Sequence, residues 1–158
     1  MGVKENLQLM KTLDDSWNAG PGSPLWETFR KRHREDVAVY WPAQPDPTRG
    51  RHNHDVEAIE FFKTFDNRLV NNPYKIAFGQ GDHTCTVADW TVTMKGPMKN
   101  PEGKTILPTG KTASLNSAQS PPGEQRNSRR KTILRCCQYD EAAWTEQIVI
   151  PTSPEARF

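Results

Sequence analysis

The sequence has no apolar run approaching the ~18 residues that a membrane-crossing helix needs, and only 34% of its residues are apolar. A transmembrane helix is excluded, and any core has to be compact. Three cysteines, two of them adjacent at Cys136 and Cys137, make neither a disulfide framework nor a zinc site. A net charge of +2 creates no field that would draw in nucleic acid or an anionic membrane. The first residues, Met1 to Lys11, are polar and lack the apolar middle of a signal peptide. Asn6 stands where myristoylation favours Ser or Thr. These absences predict a cytoplasmic protein with reduced thiols and with neither nucleic acid nor membrane as partner.

What is present reads as alternating helix and strand signals. Leu7, Met10, Leu13 and Trp17 recur at steps of three or four, which predicts an amphipathic helix from about Asn6 to Asn18. Ser23 and Pro24 suit the start of a second helix, with Leu25, Trp26 and Phe29 inward. Val37, Val39 and Trp41 alternate with Ala38 and Tyr40 as a strand. After a proline-rich loop, Asn53 or His54 is expected to cap a helix whose Ala58, Phe61, Phe62 and Phe65 form an apolar stripe. Tyr74, Ile76 and Phe78 alternate, and Gly79-Gln80-Gly81-Asp82 reads as a hairpin turn. From His83 to Lys95 the alternation is long: Cys85, Val87, Asp89 and Thr91 on one face, Thr86, Ala88, Trp90, Val92 and Met94 on the other. Helices first and a long curved antiparallel strand afterward predict an α+β fold, with the sheet curled around helices and a ligand cavity at its open end.

Several of these pieces occur together in a known family. Trp17 in the opening helix, Val37-Ala38-Val39-Tyr40-Trp41-Pro42, and Thr48-Arg49-Gly50-Arg51 before the phenylalanine helix are three of them. Ala88-Asp89-Trp90-Thr91-Val92-Thr93, Lys95-Gly96-Pro97 and Pro108-Thr109-Gly110 complete the set. In order and spacing the chain resembles the SnoaL-like polyketide cyclases of the nuclear-transport-factor-2-like (cystatin-like) superfamily. The resemblance implies a cone-shaped α+β domain, no cofactor, and acid/base chemistry on small carbonyl compounds. It also implies an acidic residue on the strand that follows the Pro-Thr-Gly turn.

On this reading residues 1–111 form the cone domain and 112–158 an atypical segment in which the family's strands are not recognisable. Thr112 to Lys131 offers only Ala113, Leu115 and Ala118 as apolar residues, beside a basic run from Arg126 to Lys131. That run has no interleaved aromatics and reads as solvated surface. Without a substitute for the missing strands the domain would be marginal, or a dimer partner would cover the gap.

Candidate site residues follow from the cavity. Asp89 is the carboxylate candidate: if its face lines the cavity, desolvation makes it a base near neutral pH. The alternative is that this face is solvated and Trp90 points inward. His52 and His54, at the rim, are candidates for a proton relay or for a cap. His52, His54 and Asp55 make too thin a ligand set for a metal, and none is expected. Trp17, Tyr40, Trp41 and Trp90 are candidates for substrate contact, or for plain core. His33 and His83 lie in polar settings and are expected to be exposed. The leading expectation is a protein that binds a small hydrophobic carbonyl compound as a cofactor-free cyclase or isomerase. The alternative is a non-catalytic binding or dimerisation module, with a homodimer as the expected assembly in either case.

The tail admits one explanation with a direct test. Read one base later, a back-translation of Asn127 to Thr145 permits Ile-Val-Glu-Glu-Lys-Leu-Phe-Tyr-Asp-Val-Val-Ser-Met-Met-Lys-Gln-Leu-Gly-Leu, a strand and then a helix. A different shift around Leu115 to Ala118 permits an apolar strand. The hypothesis is that the tail is the family's C-terminus translated out of frame. The coding DNA across codons 108 to 158 is expected to encode an alternating apolar strand in a shifted frame, and its absence from every frame would refute the idea.

Overall fold

A computed structural model describes residues 2–41, 46–81, 83–100 and 103–119. Helix α1 spans Val3–Ala19, three residues more at its start than the apolar spacing indicates. The Glu5 carboxylate accepts the Gly2 N–H at 2.8 Å and so occupies a donor that the helix leaves open. Gly20 ends it at φ 75°, a conformation that glycine takes without strain, and its N–H donates to the Trp17 carbonyl at 3.0 Å. A Cβ at Gly20 would lie 3.4 Å from the Phe62 ring, so the helix also stops where α1 meets the third helix.

Helix α2 (Trp26–Arg32) begins later than expected. Ser23 makes a turn with Leu25 and Trp26 instead of capping the helix directly, and Leu25 points outward. Two short strands, β1 (Ala38–Val39) and β2 (Thr48–Arg49), pair antiparallel, with Val37, Ala38 and Val39 all buried. Helix α3 (Arg51–Thr64) starts at Gly50, whose φ of 87° permits the sharp entry. Asn53 and His54 therefore lie inside the helix and do not cap it.

Strand β3 (Phe65–Val70) follows α3 without a loop, and this strand was not expected. Phe65 belongs to it rather than to the helical stripe. Strands β4 (Ile76–Gln80) and β5 (His83–Met94) form the predicted hairpin. Tyr74 lies just before β4. Strands β6 (Met98–Lys99) and β7 (Thr105–Ile106) make a small separate hairpin.

Strand β8 (Thr112–Gln119) corrects the expectation that no strand pattern survives after Lys111. It pairs antiparallel with β5 over eight residues, from Thr93↔Thr112 to Thr86↔Gln119. Its inward positions, Ala113, Leu115 and Ser117, are buried, while Ser114 and Asn116 are exposed. The alternation is real, but Leu115 is flanked on the inner face by the small Ala113 and the polar Ser117, which hides it in the sequence. The out-of-frame reading of Asn127 to Thr145 lies outside the described residues.

Strand β5 is the spine of the sheet. β3 and β4 pair along one of its edges, facing Asp89–Met94 and His83–Val87 respectively, and β8 pairs along the other. Its inward residues Ala88, Trp90, Val92 and Met94 join Met10, Leu13 and Trp17 of α1, Trp26 and Phe29 of α2, and Ala58 of α3 in one core. The helices therefore cover one face of the sheet. Among the described residues no element covers the other face, which carries Ile76 and Phe78, 51% and 60% exposed.

Candidate functional site

An aromatic layer fills the space between helices and sheet. Trp17 packs on Trp26, Phe29, Phe61 and Phe62 at ring-centroid separations of 4.8–6.3 Å. Phe61 also stacks on Trp90 at 5.6 Å. A buried indole needs an acceptor for its N–H. Asn67 of β3 supplies one acceptor for two of them: its Oδ1 accepts Trp17 Nε1 at 2.6 Å and Trp90 Nε1 at 3.1 Å. Trp17 and Trp90, both expected as substrate contacts, are thus brought together on the inner face, and Asn67 is a residue the sequence reading missed. Its signal was the alternation Phe65, Asn67, Leu69, hidden because Phe65 reads as the last member of the helical stripe.

A second polar group lies at the far side of Phe29. His54, on α3, is 1% exposed and His33, at the end of α2, is 2% exposed. Their rings meet edge to face at 4.7 Å, and both pack on Phe29. The buried position of His33 corrects the expectation of exposure. Its polar neighbours in sequence face water, while the ring turns back and Nδ1 donates to the Phe29 carbonyl at 2.8 Å. That bond leaves His33 Nε2 as the acceptor in the neutral ring.

Glu57, one turn along α3 from His54, has its Oε2 3.8 Å from His54 Nδ1. The same oxygen accepts Trp41 Nε1 and Thr48 Oγ1, each at 2.8 Å. Trp41 is therefore fixed over His54, with ring centroids 6.3 Å apart. Tyr40 beside it is half-buried. His52 is exposed, on the solvent side of the same helix.

The structure places Asp89 on the outer face of β5, the face opposite Trp90. Its side chain is 61% exposed and pairs with Lys75 at 3.3 Å. Of the two placements open to Asp89, the structure has the solvated one, and the two-residue period of the strand gives the reason: once Trp90 turns inward, Asp89 cannot. No Asp or Glu occurs in β8 either, so the strand after the Pro-Thr-Gly turn lacks the acidic residue that the family resemblance implies. Among the described residues no cluster of His, Cys, Asp and Glu could hold a metal.

Two carboxylates are buried among the described residues: Asp55, which accepts Trp26 Nε1 at 2.9 Å, and Asp14, on α1, 1% exposed, which accepts the Tyr74 hydroxyl at 2.6 Å. Burial, then the neighbouring Asp14 charge and hydrogen bond, push the Tyr74 phenol well above its ordinary value. Burial alone would raise the carboxyl of the adjacent Asp15, but hydrogen bonds from Lys11 and Asn71 and the Lys11 charge outweigh it and hold it below the usual range.

The sequence model of the SnoaL-like polyketide cyclase family matches residues 7–119. The chain belongs to this family. No curated protein matches it. Similar solved structures include a candidate polyketide cyclase from Xanthomonas campestris pv. campestris, 15% identical, with a TM-score of 0.70 over 92% of this chain and 97% of that one. A candidate SnoaL-like polyketide cyclase from Jannaschia sp. CCS1 is 15% identical, with a TM-score of 0.71 over 94% of each chain. An LEH-like epoxide hydrolase from M. tuberculosis, at 7% identity and a TM-score of 0.58, covers 84% of this chain and 81% of its own. At these identities the likeness establishes the fold alone. The nuclear-transport-factor-2-like α+β fold expected from the sequence is the fold found, and the family match runs past Lys111 to the end of β8.

The Asp14–Tyr74 bond of this SnoaL-like chain gives a stability prediction. Tyr74→Phe leaves a buried carboxylate oxygen without its donor and is expected to cost about 1–3 kcal/mol in urea unfolding. The folded state holds the phenol proton more tightly than the unfolded chain does. Its contribution is therefore complete below the ordinary tyrosine value of about 10 and declines as pH rises beyond it. The Phe variant should show a shallower alkaline loss, and equal slopes for both proteins would contradict the assignment.

Proposed function

We propose that the protein binds a small, flat, hydrophobic carbonyl compound on the inner side of its sheet, and that His54 moves a proton on it. The observation that carries this reading is the shared Phe29 ring. Trp17 packs on it at 5.6 Å and His54 at 5.5 Å, so a flat ligand that enters beside this ring would meet both an aromatic wall and an imidazole. Glu57 would act as positioning residue, since its carboxylate lies toward His54 Nδ1 and is itself held by Trp41 and Thr48. Of the acid/base candidates, Asp89 and His52 face solvent, which leaves His54. Family membership supports the substrate class and the absence of a cofactor from the chemistry.

A second reading, binding without catalysis, is favoured by one specific observation: β8 carries no carboxylate. In either case a homodimer through the open sheet face fits the exposed Ile76 and Phe78. No described helix is long and apolar enough to cross a membrane.

Deuterium exchange separates the two readings. Incubated with α-tetralone in heavy water, the protein is expected to accelerate exchange at the carbon next to the carbonyl, read by proton NMR. His54→Asn should lower that acceleration by about 10²-fold or more. Binding of the ketone with no exchange above buffer would sink the catalytic reading and leave the binding one.

A further inference from the structure

Asn67 has a second half that the fold does not use. The indole nitrogens of Trp17 and Trp90 carry hydrogen and can only donate, so Oδ1 is the atom that faces them and the orientation of the amide is fixed. Nδ2 then points the other way. It is buried, and among the described residues it has no hydrogen-bond partner. Its neighbours across the sheet and along the strand are Val92, Phe65 and Leu69, all buried and all without a side-chain acceptor. Buried amide donors are nearly always paired, because an unpaired one loses its water and gains nothing in return.

We infer that the Asn67 amide is the hydrogen-bond donor for the ligand's carbonyl oxygen. This rests on the proposed binding of a carbonyl compound and names the atom that recognises it. Three features suit the role. Two indole donors on Oδ1 draw electron density from the amide and make its N–H groups stronger donors. The same two bonds hold the amide rigid, so no reorientation is needed when an oxygen acquires negative charge. The indoles it holds pack against Phe61 and Phe62, which are only partly buried, so the donor lies about one ring in from solvent. A neutral N–H donor among aromatic rings selects a ketone, an enolate or a phenolate oxygen; it offers nothing to a cation.

The test compares α-tetralone with tetralin, the same bicycle without the carbonyl, by titration calorimetry on the full chain. The wild type is expected to prefer the ketone by about tenfold or more, the worth of one buried hydrogen bond. Asn67→Asp keeps an acceptor for both indoles but replaces the donor with a second acceptor, and it should abolish the preference while tetralin still binds. An unchanged preference in that variant overturns the inference. Should the variant fail to fold, the infrared carbonyl stretch of α-tetralone bound to the wild type decides: a shift to lower frequency than in hexane is expected, and an unshifted band refutes the donor. If neither compound binds the wild type, the underlying reading of a carbonyl-binding protein falls, which is distinct from binding both equally, where only the Asn67 assignment falls.

Discussion

A single oxygen ties three elements of this fold together. Asn67 Oδ1 accepts one indole hydrogen from α1 and another from β5, while its own backbone sits in β3. Each indole is large, mostly buried and needs an acceptor, and the strand pairing Asn67↔Val92 sets the amide one register step from Trp90. The rest of the interior follows from where those two rings come to lie. Phe61 stacks on Trp90, Trp17 carries Phe62 and Phe29, and Phe29 in turn carries the two histidines. A hydrogen bond worth little by itself thus fixes the geometry of a much larger apolar contact area.

The same arrangement decides which candidate groups can meet a ligand. Along β5 every second side chain faces the helices, and because Trp90 does so, Asp89 goes to the open face and pairs with Lys75. His54 is inward because α3 begins at Gly50 and not at His54, which places the imidazole on the covered side of the helix and His52 on the other. Two residues apart in sequence, the histidines end in opposite environments. Helical geometry alone accounts for that difference.

Much of this was legible in the sequence, and the misses have physical causes. The long alternation from His83 to Met94 and the α1 spacing were strong signals because large apolar residues mark one face. β3 was missed because Asp66, Asn67 and Arg68 carry no apolar signal and because it follows α3 without a turn residue. β8 was missed because Leu115 is the one large apolar residue among its inward positions, Ala113 being small and Ser117 polar. The burial of His33 was unreadable because its neighbours Arg32 and Arg34 are solvent-facing. The alternation Phe65, Asn67, Leu69 marks the inward position of Asn67, but its role depends on two tryptophans distant along the chain.

The SnoaL-like chain accordingly keeps the family's cone and an aromatic inner face, while its eighth strand lacks the carboxylate expected there. The function proposed for it therefore rests on the indole–amide group and the His54 side of Phe29. The most direct measurement is the pair of indole N–H signals of Trp17 and Trp90 in nitrogen-edited NMR during a titration with α-tetralone. The account predicts that these two signals move together along one binding isotherm. If they stay fixed while signals elsewhere respond, the ligand binds at another place and the account is contradicted.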